Sequence, residues 1–394
     1  MLHRKERILD NIPVGSLGII AVDGCEEMGQ RVNDYLVKWR KEDGTEGKDH
    51  IVFNGYEKDN YLIKAKVPRF GSGEAKGIIE ESVRGMDLYL MVDVCNYSLT
   101  YSLTGQINHM SPDDHFQNLK RIIAAVGGKA RRLNVIMPFL YESRQHKRSS
   151  RESLDCALAL QELVHMGVDN IITFDAHDPR VQNAIPLSGF ETVRPTYQFV
   201  KGLLDNVKDL QIDSDHMMAI SPDEGATERA IYLANVLGLD MGMFYKRRDY
   251  TRVVDGRNPI VAHEFLGSSV EGKDVIILDD MISSGDSILD VAKQLKSRKA
   301  KRIYAAATFG LFTNGMDKFD KAYEEDILDG ILTTNLIYQS PELLSRPYYI
   351  NCDMSKYIAL VIDTLNHDGS ISSILDPSER IQNIVQKYKN SKDF

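Results

Sequence analysis

The stretch Asp274-Val275-Ile276-Ile277-Leu278-Asp279-Asp280-Met281-Ile282-Ser283-Ser284-Gly285-Asp286-Ser287 runs on into Ile288-Leu289-Asp290. Residues 275–278 are continuously apolar, as expected of a parallel strand covered on both faces. Two adjacent carboxylates end the apolar run and a loop of small, hydroxyl-rich residues follows. A helix then opens, with apolar positions at Ile288, Val291, Ala292 and Leu295. Strand, short loop and amphipathic helix are the repeating unit of an α/β fold with mainly parallel sheets. The N–H groups of such a loop, at a helix N-terminus, form a cradle for an anion, and small side chains let it approach. The acid pair can accept hydrogen bonds from vicinal sugar hydroxyls. A sugar phosphate satisfies both halves, whereas a plain capped turn requires neither the acids nor the hydroxyls.

Outward from this stretch the same alternation fills the chain. Strands are predicted over 17–22, 61–67, 87–94, 133–140 and 168–174 in the first half, and over 216–220, 241–245, 274–278 and 302–309 in the second. Helices are predicted over 26–40, from Ser111-Pro112-Asp113-Asp114 onward, and over 152–166, 226–237 and 288–296. The helix at Ser111 has proline at its first position and acids in its first turn, where the dipole favours them. The polar stretch 41–60 reads as an exposed insertion. Two similar sheets in tandem are expected, each flanked by helices, with a boundary around 185–195. The expected domains are 1–190, 191–350 and a C-terminal helical tail over 351–394 that packs back on the first domain. Ligands of such sheets sit at the carboxyl ends of the strands.

The chain has 394 residues, which suggests two or three domains. Lys+Arg 48 against Asp+Glu 57 leaves a net charge of −9, a poor basis for non-specific nucleic-acid binding. Any anion site must therefore be built from a few local cations. Cys25, Cys95, Cys156 and Cys352 form no CxxC pair and read as free thiols of a reducing compartment. No apolar run approaches the roughly 18 residues that span a bilayer. A soluble, cytoplasmic protein is expected, with neither nucleic acid nor membrane as partner.

The 274–290 segment resembles the phosphoribosyl-binding signature of type I phosphoribosyltransferases and ribose-phosphate diphosphokinases. Other loops favour the diphosphokinases. Phe174-Asp175-Ala176-His177 resembles that family's Asp-Leu-His-Ala stretch, and Ser221-Pro222-Asp223-Glu224-Gly225 its Ser-Pro-Asp-x-Gly. Tyr245-Lys246-Arg247-Arg248 resembles its Lys-x-Arg. Arg69-Phe70-Gly71-Ser72-Gly73-Glu74 resembles its adenine-binding hairpin, and Tyr141-Glu142-Ser143-Arg144-Gln145 its Tyr-x-Arg-Gln loop. The motifs keep the family's order from about residue 61 to 308.

The resemblance implies two tandem phosphoribosyltransferase-like domains and transfer of the diphosphoryl group of ATP to ribose 5-phosphate. It implies Lys246 and Arg248 as catalytic, and Phe70, Ser72, Gly73, Glu74, Arg144 and Gln145 as ATP contacts. Ribose 5-phosphate would be held by Arg248, Asp279, Asp280, Ser283, Ser284, Gly285, Asp286 and Ser287. Mg²⁺ would be held by His177 and Asp223. A homo-oligomer is implied too, a hexamer built from dimers. The alternatives are a non-catalytic regulatory relative that assembles with an active enzyme, and a phosphoribosyltransferase.

Several positions depart from the family pattern. Ser283 stands where a third Asp is usual, Ser72 where Asn or Asp is usual, and His146 where Asp follows the Arg-Gln pair. Tyr141 and Arg144 are separated by one extra residue. Asp286 replaces a small residue, which places a negative charge next to the expected phosphate. The insertion at 41–60 and the length after Asn335 also exceed the pattern.

Overall fold

The computed structural model describes residues 12–45, 55–248 and 260–392, and within these the side chains of 43–45, 246–248, 260–263 and 392 lie outside the description. The chain divides into two compact units. The first comprises the chain up to Arg194 together with Asn335–Tyr338 and Asp353–Asp376. The second comprises Pro195–Thr334, Gln339–Cys352 and Pro377–Phe394.

In chain order the first unit contains β1 (Ser16–Ala21), α1 (Glu26–Thr45), β2 (Ala65–Lys66), β3 (Ile78–Ile79) and β4 (Met86–Met91). It continues with β5 (Thr100–Leu103), β6 (Gln106–His109), α2 (Pro112–Val126), β7 (Arg132–Ile136), α3 (Asp155–His165), β8 (Asn170–Phe174) and β9 (Gly189–Val193). Strands β1, β4, β7, β8 and β9 form one sheet in that order, parallel throughout. Helix α2 begins as predicted. The Ser111 hydroxyl accepts from Asp114 N–H at 3.2 Å while the Asp114 carboxylate accepts from Ser111 N–H at 3.0 Å, a reciprocal capping box.

Two expectations for this unit are corrected. Helix α1 does not stop at residue 40 but runs to Thr45, so the polar stretch begins inside a helix; residues 46–54 lie outside the described residues. Lys41 and Glu42 continue its exposed face, and polarity alone does not end a helix. The strand predicted over 61–67 shrinks to β2 and a single bridge between Leu62 and Ile19. Tyr61 and Ile63 are apolar because they are buried, not because the segment is a full strand. The β5–β6 hairpin was not predicted.

The second unit opens with α4 (Thr196–Asn206), β10 (Met217–Ser221), α5 (Thr227–Leu237), β11 (Asp240–Arg248), β12 (Ile260–Leu266) and β13 (Asp274–Ile282). It continues through α6 (Asp286–Ser297), β14 (Arg302–Gly310), α7 (Asp317–Glu324), β15 (Gly330–Thr334), α8 (Pro341–Leu344) and β16 (Tyr349–Cys352). Helices α9 (Ser355–Asn366) and α10 (Ser372–Leu375) belong to the first unit, and α11 (Ser378–Lys392) to the second. The sheet order is β12-β11-β10-β13-β14-β15-β16, parallel except that β12 is antiparallel to β11. The order reverses at β10. A crevice therefore opens at the carboxyl ends of β10 and β13, the switch point where α/β sheets bind ligands.

Strand β13 shows why the apolar run is continuous. Val275 and Ile277 enter one core with Val291 and Leu295, while Ile276 and Leu278 enter another with Leu233 and Phe199. Both faces are covered. The strand also runs past the predicted end at 278 to Ile282, pairing Asp279 with Ala307 and Met281 with Phe309. The acid pair thus sits within the strand rather than after it. Strand β14 continues to Gly310 and supplies the partners, a fact hydrophobic periodicity does not carry. For the same reason β11 runs to Arg248, because β12 pairs with it.

Helix α9 is buried along most of its length and is fastened by charge as well as by packing. Arg40 of α1, with 0% exposure, donates to Asn366 Oδ1 at 2.7 Å and lies 3.4 Å from Asp363 Oδ1. Asn366 in turn donates to Asp87 Oδ2 at 2.8 Å. A buried cation left without such partners would be strongly destabilising. No helix among the described residues is long and apolar enough to cross a membrane.

Candidate active site

In the second unit the site is built on the ends of β10 and β13. Asp274, at the opposite end of β13, is fully engaged by the Arg302 guanidinium, Nε to Oδ1 at 2.8 Å and Nη2 to Oδ2 at 2.5 Å. The acids at the carboxyl end crowd one another instead. Asp280 is 4% exposed, and its N–H donates to Asp279 Oδ1 at 2.8 Å. Burial, then repulsion from Asp280 and from Asp223, holds the Asp279 carboxyl well above the usual carboxylate range. Asp223 is set by its own turn, with Oδ1 accepting from Gly225 N–H at 3.0 Å and Ala226 N–H at 3.3 Å. Three carboxylates therefore gather at the switch point. A hard cation or a polyol relieves that crowding.

The loop after β13 is shaped by its glycine. Gly285 has φ +80°, and a Cβ built on it would lie 2.1 Å from Cζ of the buried Phe319. Only glycine fits both demands. On the other side, Thr313 N–H donates to the Ser283 carbonyl at 3.0 Å, tying the loop to the end of β14. Helix α6 follows, and its first-turn N–H groups have no intrahelical acceptors. Asp286 does not stand alone beside the cradle. Its Oδ1 accepts from Lys318 Nζ at 2.5 Å, and this bond, followed by one from Ser284, holds its carboxyl below the usual range.

The Asp286–Lys318 pair changes what substitution should do. Asp286→Gly is expected to lower KM for a sugar-phosphate substrate about two- to fivefold, the scale of an exposed charge acting at a helix N-terminus. It removes a negative charge and leaves Lys318 unpaired beside the loop. Lys318→Ala is expected to raise KM by a similar factor. Steady-state kinetics in which neither variant moves KM would show that the pair does not sense the phosphate.

In the first unit, residues 69–75 close a tight hairpin: Phe70 N–H donates to Glu74 O at 2.7 Å and Gly73 N–H to Phe70 O at 2.9 Å. Gly73 has φ +92°. Phe70 is 53% exposed at this hairpin. The Ser72 hydroxyl donates to Glu74 Oε2 at 2.9 Å, so Ser72 orients the acid within the turn. In the loop after β7, Gln145 N–H donates to Glu142 O at 2.8 Å and the Gln145 amide nitrogen to Ser153 O at 2.7 Å. Arg144 is exposed.

His177 follows β8, two residues after Asp175, whose φ is +42°. Its ring lies 5.3 Å, centroid to centroid, from that of His146. His146 in turn places Nε2 3.5 Å from Asp178 Oδ2. Asp178 is held down to about 2, first by its hydrogen bonds from Arg180. The departure at position 146 therefore puts a second imidazole against His177.

The structure brings Asp223, Asp279, Asp280 and the 283–287 loop together in the second unit. It places Phe70, Ser72, Gly73, Glu74, Arg144, Gln145 and His177 in the first. The backbones of Lys246 and Arg248 lie on β11, opposite His263 and Ile260 of β12; their side chains lie outside the description. Among the described residues no group of three or more His, Cys, Asp and Glu is arranged to hold a metal by itself. Sequence reasoning missed Lys318, Phe319, Asp113 and Asp114. The last two carried a signal, as acids in a first turn, but only a helical role was read from it.

A mainly parallel sheet flanked by helices, with an acid pair and a glycine–serine loop at its switch point, defines an α/β protein of the phosphoribosyltransferase fold. Residues 17–167 match the model of the N-terminal domain of ribose phosphate pyrophosphokinase, and residues 194–346 match the phosphoribosyl transferase domain. The chain belongs to the ribose-phosphate pyrophosphokinase family. It is 29% identical over 321 residues to the ribose-phosphate pyrophosphokinase of Vibrio parahaemolyticus, covering 80% of this chain and 92% of that one. To the ribose-phosphate pyrophosphokinase of Mycoplasma genitalium it is 27% identical over 308 residues, covering 75% and 85%. The crystal structure of phosphoribosylpyrophosphate synthetase from Mycobacterium smegmatis is similar in fold, with TM-score 0.68 and 20% identity over 90% of this chain and 100% of that one.

Proposed function

We propose that this chain is a ribose-phosphate pyrophosphokinase, transferring the diphosphoryl group of ATP to the anomeric hydroxyl of ribose 5-phosphate. The products are phosphoribosyl diphosphate and AMP. The observation that carries this is the pairing of an adenine-type hairpin in the first unit with a sugar-phosphate cradle in the second, both within matched family domains. A phosphoribosyltransferase has no use for the hairpin.

The reaction moves charge among phosphate oxygens, so the protein's work is positioning and electrostatic stabilisation. Phe70 stacks on the base, with Ser72, Gly73 and Glu74 along its edge, and Arg144 and Gln145 meet the phosphates. Asp279 and Asp280 accept the ribose hydroxyls, and residues 283–287 cradle the 5-phosphate. Lys246 and Arg248 meet the charge that develops on the migrating group. Mg²⁺ usually takes one or two protein ligands and completes its shell with substrate phosphates and water. The chemistry of the donors is compatible with it, since an imidazole and a carboxylate oxygen leave the remaining positions to phosphate and water. His177 and Asp223 would hold it. When bound, Mg²⁺ neutralises the triphosphate. A homo-oligomer accompanies this function, testable by analytical ultracentrifugation.

The test is release of AMP by the purified chain from ATP, Mg²⁺ and ribose 5-phosphate, with and without inorganic phosphate. Absence of AMP under every condition would leave a non-catalytic relative. Consumption of phosphoribosyl diphosphate with a nucleobase would point to a phosphoribosyltransferase.

Asp279→Asn separates function from stability. An amide accepts sugar hydroxyls less well than a carboxylate, since charge-assisted bonds are roughly twice as strong. Ribose 5-phosphate should bind more weakly, with ATP affinity kept. The folded pKa of Asp279 is raised, so its contribution to stability is complete below the unfolded value and is lost as pH rises through the folded one. The neutral amide escapes that loss. The ligand-free variant should therefore melt higher than the parent at neutral pH, and the gain should vanish below about pH 4. Equal melting at both pH values would place Asp279 in a solvated, uncrowded setting.

A further inference from the structure

The first turn of α2 touches both nucleotide loops of the first unit. Asp114 Oδ1 accepts from Arg69 Nη2 at 2.9 Å, and Arg69 Nη1 donates to the Gly73 carbonyl at 2.9 Å, inside the hairpin. The ion pair is shielded, with side chains 13% and 21% exposed, and the guanidinium lies 4.0 Å from the centroid of the Tyr101 ring on β5. One residue earlier, Asp113 Oδ1 accepts from the Tyr141 hydroxyl at 2.7 Å. The Tyr141 ring stacks on Phe116 of the same helix, centroids 4.2 Å apart and 7° from parallel. Tyr141 opens the loop that carries Arg144 and Gln145.

A helix needs first-turn acids only for capping and for its dipole. Here both acids also reach across to other segments. The helix end beneath them is firmly set: His115 has 0% exposure and its Nε2 lies 2.7 Å from the Asn96 carbonyl. The β5–β6 hairpin backs the other side, where a Cβ on Gly73 would lie 3.1 Å from Leu103 Cδ1.

We propose that Asp113 and Asp114 are positioning residues for ATP, the two ends of one strut. Asp114 holds Arg69 and with it the base-binding hairpin; Asp113 holds Tyr141 and with it the Arg144–Gln145 loop. The helix end sets the spacing between the loop that takes the base and the loop that takes the phosphates. This rests on the assignment of both loops to ATP. Misplacing a binding group even slightly is costly, so the strut acts on nucleotide affinity rather than on the sugar-phosphate cradle.

The test is calorimetric titration of the full chain with a non-hydrolysable ATP analogue and Mg²⁺. Asp114→Ala should weaken the analogue about tenfold, the scale of one charge-assisted hydrogen bond. Asp114→Asn should recover part of the loss, because its amide oxygen still accepts from Arg69. Asp113→Ala and Tyr141→Phe should weaken the analogue equally, and the double variant no further, since they remove the same bond. Ser111→Ala removes the capping hydroxyl, with its bond to Asp114 Oδ2, and leaves the Arg69 bond to Asp114 Oδ1; it should lower the melting temperature and leave affinity within about twofold. Two outcomes overturn the strut: wild-type affinity in Asp114→Ala, or a loss in Ser111→Ala equal to that in Asp114→Ala. A parent chain that binds no ATP analogue overturns it as well. A parent that binds the analogue but forms no AMP refutes the enzymatic function and leaves the strut to be judged on affinity.

Discussion

Lys246→Ala is expected to cut kcat and kcat/KM together by about a hundredfold, with KM for ATP and for ribose 5-phosphate nearly unchanged. Strand β10 pairs with β11 as far as Ser221 opposite Met243, and Lys246 lies beyond that last shared pair. Its backbone therefore stands on the carboxyl side of the sheet, beyond the end of β10, where the loop bearing Asp223 begins. A cation acting in the chemistry there would meet charge on the migrating diphosphoryl group, which develops in the transition state rather than in the ground state. If Lys246 only drew anions from solution, KM for ATP would rise with kcat intact, and the defect would shrink at high salt. Circular dichroism must first show the variant folded. A folded Lys246→Ala protein with the parent kcat would remove Lys246 from the chemistry.

Gly285→Ala should be nearly as damaging, through the other substrate. Two independent costs fall on one methyl group. The backbone stands at φ +80°, where a side chain costs roughly 1–2 kcal/mol. The Cβ would also lie 2.1 Å from Cζ of Phe319, a residue with 0% exposure and no room to yield. Overpacking of that kind adds about 1–3 kcal/mol. The loop would move to escape both, and the cradle for the 5-phosphate would go with it. KM for ribose 5-phosphate should rise roughly thirty- to a hundred-and-fiftyfold, from a loss of about 2–3 kcal/mol. ATP-analogue affinity should be unchanged. Phe319→Leu combined with Gly285→Ala should restore only the part due to the clash. An unchanged KM in the single variant would show that the cradle does not hold the phosphate.

These two positions were legible in the sequence to different depths. Gly285 was visible as part of a small-residue loop between a strand and a helix, yet its closeness to Phe319 was not, because Phe319 lies on α7, well further along the chain. Lys246 was visible only through the resemblance of its Lys-x-Arg stretch. Asp286 was read as a charge beside the phosphate or as a first-turn acid of the helix, and the structure adds an ion pair with Lys318 that neither reading contained. Asp113 and Asp114 were read as helix-end acids, and they also grip Tyr141 and Arg69.

What the sequence by itself determined is whatever is decided within a few residues. The apolar run 275–278, the capped start of α2 and the small-residue loop after the acid pair each follow from local period, backbone freedom and hydrogen-bonding chemistry. Strand β13 had to be covered on both faces because every residue of that run is apolar. The ends of strands were decided only by tertiary structure, since β13 reaches Ile282 and β11 reaches Arg248 through neighbours that continue to pair with them. The switch point at β10 likewise exists only once the sheet order is set. So does the crowding of Asp223 against Asp279, two acids far apart in sequence whose repulsion depends on distance and burial rather than on identity. Hydrophobic period acts along the chain, whereas strand pairing, charge and steric fit act across it, and the site of this protein is made where those cross-chain forces meet.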